Sequence, residues 1–238
     1  MSFPLRIRSG LSTAGESGKM APKHLLCDTN GAVMVEVTIM LSIILVLVFG
    51  GIDLLFLFYQ WNAAAKAVQI GARLAAVSDP VALGLNNVSR AVVDETVPPG
   101  AAIPKFIVTC DGGSATCSCS GAARACRQVG GYNKAAMDTI VFGRGSSSCS
   151  NLPAADRVGM CHILSRITPA NVKIVYAQTG LGYAERPGGP MPTITLSLQN
   201  LPFHFYFVGG LVGLRNLQVP ASTSSRTAED LSSHAPTF

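Results

Sequence analysis

Charged residues are scarce in this sequence. Asp, Glu, Lys and Arg make up 13% of the 238 residues, while hydrophobic residues make up 48%. The 18 Lys and Arg residues form no basic run, so the sequence gives no support for nucleic-acid binding. Disordered chains are poor in apolar residues, so this composition also argues against a disordered protein.

Motifs of catalysis are lacking as well. The sequence has no phosphate-binding loop, nucleophile elbow or dinucleotide fingerprint. His162 directly follows Cys161, and adjacent residues on a helix do not face each other, so the two do not predict a catalytic pair. His204 and His234 have no acidic partner at a telling spacing. We therefore predict a protein that is not an enzyme and that uses no cofactor.

Cysteines are few and unevenly placed. Cys27 precedes the longest apolar stretch, and six cysteines follow that stretch. The six are Cys110, Cys117, Cys119, Cys126, Cys149 and Cys161. An even number of cysteines in a loop-rich, exported segment predicts disulfides, which form in oxidising compartments.

The pairing of these cysteines does not follow from the sequence. Cys117 and Cys119 are too close to bond to each other comfortably, and a bond from Cys110 to Cys126 around a loop is one candidate. Each closed loop would add roughly 2–4 kcal/mol of stability. A zinc site is the alternative, but Cys117-Ser118-Cys119 is tighter than a zinc knuckle and has no second knuckle, so we predict no metal.

The longest apolar stretch runs from Gly31 to Val77 and has no charge between Val37 and Ile52. It exceeds the roughly 20 mostly apolar residues that cross a bilayer. A single span must be a helix, because lipid offers the backbone no hydrogen-bond partners. The proline in Asp79-Pro80 predicts the end of that helix.

Residues 1–31 hold four basic and two acidic residues, which predicts a cytoplasmic N-terminus. A secretory signal peptide would have a shorter apolar region, with its cleavage site after that region. We therefore expect the apolar helix to stay in the mature protein. Met20 is an alternative start that would shorten this leading segment.

The outer part of the helix is rich in alanine and has helical periodicity. The predicted packing stripe consists of Ala63, Ala67, Ile70, Leu74 and Val77. Small residues in this tract, such as those at positions 71 and 72, allow another backbone to approach closely.

The remaining residues predict a small α+β domain with an antiparallel sheet. The predicted strands are Lys105–Thr109, Val172–Gln178, Thr193–Leu198 and Leu217–Val219. The predicted helices are Val88–Val93 and Pro153–Ile167. The other expectations are an irregular loop over 111–151 with a short turn of helix near Ala122, a buried crossing or hairpin over Phe203–Leu214, and a polar, mobile tail from Ser222.

Gly31 precedes Glu36 by five residues at the head of the apolar helix. This spacing resembles the processing site of type IV pilin-like proteins, in which a prepilin peptidase cuts after the glycine. The resemblance implies cleavage between Gly31 and Ala32. It also implies that Glu36 pairs with the new N-terminal amine of a neighbouring subunit. The alternative is a signal anchor with one glutamate at the water interface.

Motifs further along the helix narrow the resemblance. Phe49–Asp53, Phe58–Ala63 and Ala67–Ala76 resemble the TadE-like family, with a weaker echo at Ser225–Glu229. TadE-like proteins are minor pilins or pseudopilins of the Tad (tight adherence) pilus and secretion apparatus. The implied partners are a prepilin peptidase, other Tad pilins or pseudopilins, the inner-membrane assembly platform and the lipid bilayer.

The resemblance implies three parts. They are a cytoplasmic leader (1–31), a transmembrane and amphipathic pilin-like helix (32–78) and an extracytoplasmic α+β domain (79–238) with a Cys-rich loop at 110–161. The implied location is the bacterial inner membrane, single-pass, with the outer domain periplasmic or extracellular and the protein a possible component of a pilus. The alternative from another class is an envelope protein that never polymerises and whose outer domain binds a ligand or partner.

One acidic residue interrupts the apolar helix. Asp53 has two possible roles in the sequence. It pairs with Lys66 or Arg73 of a neighbouring helix, or it is a solvated residue at the membrane interface.

Overall fold

The structure is a computed structural model that describes residues 29–149, 158–203, 205–207, 209, 218–220, 222–228 and 231. The chain divides into two compact units, 1–48 and 49–238. The described part of the first unit is helical throughout.

The first helix, α1, spans Thr29–Ala76. It stops after Ala76, where the Val77 N–H donates to the Leu74 carbonyl at 3.2 Å in a last tight turn. Pro80 follows shortly and cannot continue a helix, as the sequence predicted.

The other helices are short. They are α2 (Val88–Ala91), α3 (Ala123–Gln128) and α4 (Lys134–Phe142), with 3₁₀ turns at Leu85–Asn87, Met160–His162 and Pro169–Asn171. The predicted helix at Val88–Val93 is present but two residues shorter. At the start of α4, the Asn133 side chain accepts a hydrogen bond from the Ala136 N–H at 3.2 Å, which caps the helix.

Five strands form one antiparallel sheet. They are β1 (Phe106–Asp111), β2 (Thr116–Gly121), β3 (Val172–Ala177), β4 (Thr193–Leu198) and β5 (Thr223–Thr227). Their order across the sheet is β2-β1-β3-β4-β5. The strands predicted at 105–109, 172–178 and 193–198 correspond to β1, β3 and β4.

Side chains of β1, β3 and β4 alternate between a buried and a less buried face. The buried face carries large residues, among them Phe106, Ile174, Tyr176 and Leu196. The segment of α1 from Ala63 to Ala76, which we call its outer part, belongs to the same core. Its buried surface consists of Ala63, Ala64, Ala67, Val68, Ala72, Ala75 and Ala76. The expected α+β domain with an antiparallel sheet is therefore confirmed.

The predicted packing stripe on α1 is rotated from the observed one. Ala63 and Ala67 are buried as predicted, but Ile70, Leu74 and Val77 are only half-buried. The buried face instead centres on the smallest residues, because these let the helix lie closest to its neighbours.

The prediction of an irregular loop over 111–151 is wrong for β2 and α4, which lie in this region. The short helical turn expected near Ala122 is present as α3. Strand β2 is rich in Ser and Thr, and Cys117 and Cys119 are the only residues on it that pack against the core. Its pairing with β1 therefore rests on backbone hydrogen bonds and on the disulfides described below.

The predicted helix over Pro153–Ile167 is also wrong where it can be compared. Residues 153–157 lie outside the described residues, and residues 158–167 hold only the short 3₁₀ turn at Met160–His162. A Cβ on Gly159 would meet the backbone of Val141 and Phe142. Gly159 itself is extended (φ −95°, ψ 177°), so no regular helix passes through it.

The polar tail is ordered in part. Thr223–Thr227 forms β5 at the sheet edge, paired with β4 from Thr193 to Ser197. Its polar side chains suit an edge strand, since one side of the strand faces no partner within the described sheet. Of the strand predicted at Leu217–Val219, Leu217 lies outside the described residues, and Gln218 forms an isolated bridge with Pro202. Most of Phe203–Leu214 and Glu229 also lie outside the described residues.

Candidate functional site

The predicted processing residues lie at the beginning of α1. Gly31 is exposed, and a Cβ built on it meets no atom within 4 Å. Glu36 is also exposed and lies five residues further along the helix. The amide groups of a first helical turn have no partners within the helix, so this turn opens more readily than the turns that follow.

The helix after Gly31 exposes large apolar side chains on all sides. Met34 is 71% exposed and Leu47 is 70% exposed, and the other large apolar residues between them are at least 44% exposed. The helix from Val33 onward is long and apolar enough to cross a membrane, by length and composition. It therefore fits a membrane anchor, because lipid is the solvent that favours such a surface.

Asp53 is neither solvated nor on the surface. Its side chain is 3% exposed. One carboxylate oxygen accepts hydrogen bonds from the N–H groups of Tyr206 at 3.0 Å and Phe207 at 3.3 Å, and the other accepts from Phe207 at 3.2 Å. The prediction that Asp53 is a solvated residue at the membrane interface is therefore wrong. The two backbone amides supply the hydrogen bonds that a buried carboxylate needs.

Aromatic rings flank this carboxylate. Phe49 stacks on Phe207 with ring centroids 4.8 Å apart, and Phe56 contacts Tyr206 with centroids 4.7 Å apart. Positions 49, 53 and 56 follow the spacing of one helix face. The Phe49–Asp53 motif and the next turn thus form a binding surface for the segment 205–207, which we call the aromatic segment.

One turn further along the same face, Gln60 is 7% exposed. The Arg166 guanidinium lies 3.5 Å from its side-chain oxygen. Tyr59, Gln60, Arg166 and Tyr206 line a cavity of about 340 Å³ with their neighbours. The buried polar residues of α1 therefore bind segments that lie more than a hundred residues away in sequence.

At the outer end of α1, Gly71 marks the closest approach. A Cβ on Gly71 would lie 2.5 Å from the Met160 sulfur and 3.1 Å from a methyl carbon of Leu196 on β4. The sequence predicted close approach of a partner backbone at this position. The groups that approach are instead side chains of the protein's own α+β domain.

The structure contains three disulfides, which use all six cysteines after the apolar helix. Their pairs are Cys110–Cys117, Cys119–Cys126 and Cys149–Cys161. The suggested Cys110–Cys126 bond is wrong. Strand pairing places Cys110 directly opposite Cys117. The sequence does not predict this pair because it does not predict strand β2.

The first two disulfides hold β2, the edge strand. Cys110–Cys117 joins β2 to β1, and Cys119–Cys126 joins β2 to α3. The turn between β1 and β2 is closed by Asp111, which accepts from the Gly113 N–H at 2.7 Å. The Gln199 amide, which donates to Asp111 at 3.0 Å, is the main cause that lowers the pKa of this carboxyl.

Cys161 is bonded to Cys149, so it is no free thiol beside His162. The His162 ring accepts a hydrogen bond from the Gly159 N–H at 3.1 Å. His204 and His234 lie outside the described residues. Within the described ranges, no three His, Cys, Asp or Glu residues lie together as a metal site would need.

A buried tyrosine fixes the chain just after α1. Tyr176 on β3 is fully buried, and its hydroxyl oxygen accepts a hydrogen bond from the Val81 N–H at 3.0 Å. Burial raises the pKa of this phenol, and the Val81 hydrogen bond offsets part of that effect. The sequence did not predict this contact or the amides that bind Asp53. The donors are backbone N–H groups, which nearly every residue has, so no residue type indicates them.

These features define a class of protein: an apolar N-terminal helix that fits a membrane anchor, continuing into an α+β domain held by three disulfides. A family model described as TadE-like protein matches residues 31–73. The resemblance of this stretch to the TadE-like family is therefore confirmed. The match lies within α1 and includes Gly31, Glu36 and Asp53.

No curated protein and no solved structure shows significant similarity to this chain. The family match therefore carries the comparison, and it indicates a protein of the cell envelope that is associated with a Tad pilus. TadE-like proteins are structural, pilus-related proteins rather than enzymes.

Proposed function

We propose that this chain is a minor pilin or pseudopilin-like assembly component of a Tad-type pilus and secretion apparatus. The observation that carries the proposal is the coincidence of the TadE-like match with the exposed apolar part of α1. In this proposal α1 crosses the bacterial inner membrane once, with its N-terminus in the cytoplasm and the outer domain in the periplasm.

The first step of its assembly is cleavage by a prepilin peptidase. The enzyme hydrolyses the peptide bond between Gly31 and Ala32, leaving a carboxylate on Gly31 and an amine on Ala32. Two observations support this step. Glycine is a poor helix former at the weakest turn of α1, and nothing in the described structure crowds the position.

Glu36 acts after cleavage. Its carboxylate lies at the head of an apolar surface, where an unpaired charge is costly. Pairing with the Ala32 amine of a neighbouring subunit would neutralise both groups and set the register between two helices. Other Tad pilins or pseudopilins, held at the inner-membrane assembly platform, would supply that neighbour.

The test is N-terminal sequencing of protein extracted from membranes of cells with an active prepilin peptidase. We expect the wild-type chain to begin at Ala32 and a Gly31→Leu variant to keep its leader. Gly51→Leu is the matched control, since Gly51 also lies exposed on α1 with no atom within 4 Å of a built Cβ. An intact wild-type leader would contradict the proposal.

Glu36→Gln separates cleavage from assembly. We expect this variant to begin at Ala32 like the wild type but to be lost from filament or assembly-platform fractions, because the amide carries no charge to pair with an amine. Normal incorporation of Glu36→Gln would contradict the assigned role.

A second candidate is a single-pass envelope protein that binds a ligand with its outer domain and never polymerises. One observation favours it. The side-chain oxygen of Gln178 is buried without a hydrogen-bond partner among the described residues, and Gln178 lines a cavity of about 390 Å³ with Lys105, Ile107 and others. An uncleaved chain with a normally folded outer domain would favour this alternative.

A further inference from the structure

We infer that the aromatic segment, through the exposed rings of Tyr206 and Phe207, makes a second contact with the bilayer at the outer lipid–water interface. The inference rests on the proposed function only in that α1 must span the membrane. It adds that the outer domain contacts the lipid directly, through the rings of Tyr206 and Phe207.

The exposure of the two rings is the first argument. Tyr206 is 57% exposed and Phe207 is 51% exposed, although each ring also contacts a phenylalanine of α1. Phe56 of α1, which contacts Tyr206, is itself apolar and 39% exposed. Exposed aromatic residues that continue a lipid-facing surface are typical of the belt where a protein meets the headgroups.

The backbone of the aromatic segment is the second argument. Irregular backbone is tolerated at membrane depth only where its polar groups find partners inside the protein. The N–H groups of Tyr206 and Phe207 both donate to Asp53. The segment can therefore leave water without leaving these two donors unpaired. Asp53 in turn is stabilised inside an apolar helix, where a bare carboxylate is costly.

The depth along α1 is the third argument. A helix rises about 1.5 Å per residue, so the roughly 30 Å of hydrocarbon takes about 20 residues. A span that begins at Val33 therefore ends close to Asp53. The exposed aromatic residues Tyr59 and Trp61 come next, and the exposed Lys66 follows them. This order of apolar, aromatic and basic residues is that of a membrane boundary, and Tyr206 and Phe207 lie against its beginning.

The test uses tryptophan as a depth probe in the full chain. Trp61 is the single tryptophan, so a Trp61→Phe background is dark. Three single variants are made in it: Phe207→Trp, the exposed control Tyr183→Trp on the outer domain, and the span control Leu47→Trp. Each is reconstituted in vesicles of phosphatidylcholine and phosphatidylglycerol whose acyl chains carry bromine, a quencher. Tyr206→Trp repeats the measurement should Phe207→Trp fold poorly.

We expect bromine to quench Phe207→Trp roughly threefold more than Tyr183→Trp, most strongly when bromine lies near the headgroup end of the chain. Aqueous iodide should quench Tyr183→Trp in preference. Equal bromine quenching of Phe207→Trp and Tyr183→Trp, with Leu47→Trp quenched, would overturn the inference alone. Protection of Phe207→Trp from both quenchers would also overturn it, because a protein would then cover the rings.

Failure of the span control has a different meaning. Leu47→Trp unquenched by bromine would show that α1 does not span the bilayer. That result would overturn the inference together with the membrane anchoring on which the proposed function depends.

Discussion

The two ends of α1 are both helical, but they differ in the size of their side chains and in how far these side chains are buried. Between Val33 and Val48 the large aliphatic side chains are exposed on every side, whereas between Ala63 and Ala76 alanines, one valine and one glycine form a buried face. The difference lies in side-chain size. Large side chains suit lipid, which solvates them evenly, while small ones let a helix lie against a sheet.

The part of α1 from Val33 to Val48 needs a partner that the described residues do not supply. Fully burying a leucine or valine side chain is worth about 1.5–3 kcal/mol relative to leaving it in water. The residues from Val33 to Val48 gain little of this within the described structure. Lipid is a surrounding that would supply it, which fits a membrane anchor.

The largest expected effect comes from placing one lysine in each part of α1 and comparing the loss of stability. Ala67 is 0% exposed, so Ala67→Lys would bury an unpaired ammonium and overfill the core. We expect the outer domain to lose more than about 4 kcal/mol of unfolding free energy, which is beyond most single substitutions. Urea unfolding of the full chain in detergent, followed by near-ultraviolet circular dichroism, measures this loss.

The matched variant is Leu47→Lys, at a side chain that is 70% exposed. We expect no change in the unfolding of the outer domain. Its cost should appear in membrane insertion instead. It should be below the roughly 2.5–3.5 kcal/mol of a lysine at the centre of a span, because Leu47 lies nearer the outer end of the span. Destabilisation of the outer domain by Leu47→Lys would remove the distinction between the two parts of α1.

A second difference between the regions is covalent. Helix α1 contains no cysteine, whereas the outer domain has three disulfides. Cys149–Cys161 has the largest sequence separation, 12, so its loss frees the longest loop of the unfolded chain. We expect the double variant Cys149→Ser/Cys161→Ser to lose about 3 kcal/mol of unfolding free energy.

The measurement is again urea unfolding, with Cys27→Ser as control because it removes a cysteine that precedes α1. Helicity of α1 in detergent should be unchanged in both variants. Equal stability of the double variant and the wild type would show that the outer domain is held by its core alone.

The sequence predicted those helices and strands that show a periodic or continuous apolar pattern within one short segment. The apolar run gives α1, and the alternation in Val172–Ala177 and Thr193–Leu198 gives β3 and β4. Strands β2 and β5 lack large alternating apolar residues, because both lie at sheet edges and bury few side chains. Their pairing depends on backbone hydrogen bonds with neighbours, which a residue pattern does not report.

The same limit applies to the candidate site. Gly31, Glu36 and Asp53 could be found from spacing within one helix. The partner of Asp53 could not, since it consists of two backbone amides about 150 residues away. The disulfides were predicted in kind, but their pairing follows from the β1–β2 register, which requires β2 to be known.

The smallest expected effect concerns the tie between the end of α1 and the sheet. Tyr176→Phe removes the hydroxyl that accepts from the Val81 N–H and leaves that buried donor unpaired. We expect a loss of about 1–3 kcal/mol of unfolding free energy at neutral pH. Tyr183→Phe, at an exposed side chain, is the control and should leave stability unchanged.

The pH dependence identifies the hydroxyl as the cause. Burial raises the pKa of Tyr176 in the folded state, so above about pH 10 the unfolded chain releases the phenol proton first. The wild-type unfolding free energy should therefore fall as the pH rises past about 10, and Tyr176→Phe should lack this part of the fall. The stability gap between the two proteins should narrow at alkaline pH. A constant gap would mean that the phenol is not buried when the chain folds, and the outer part of α1 would then lack its tie to β3.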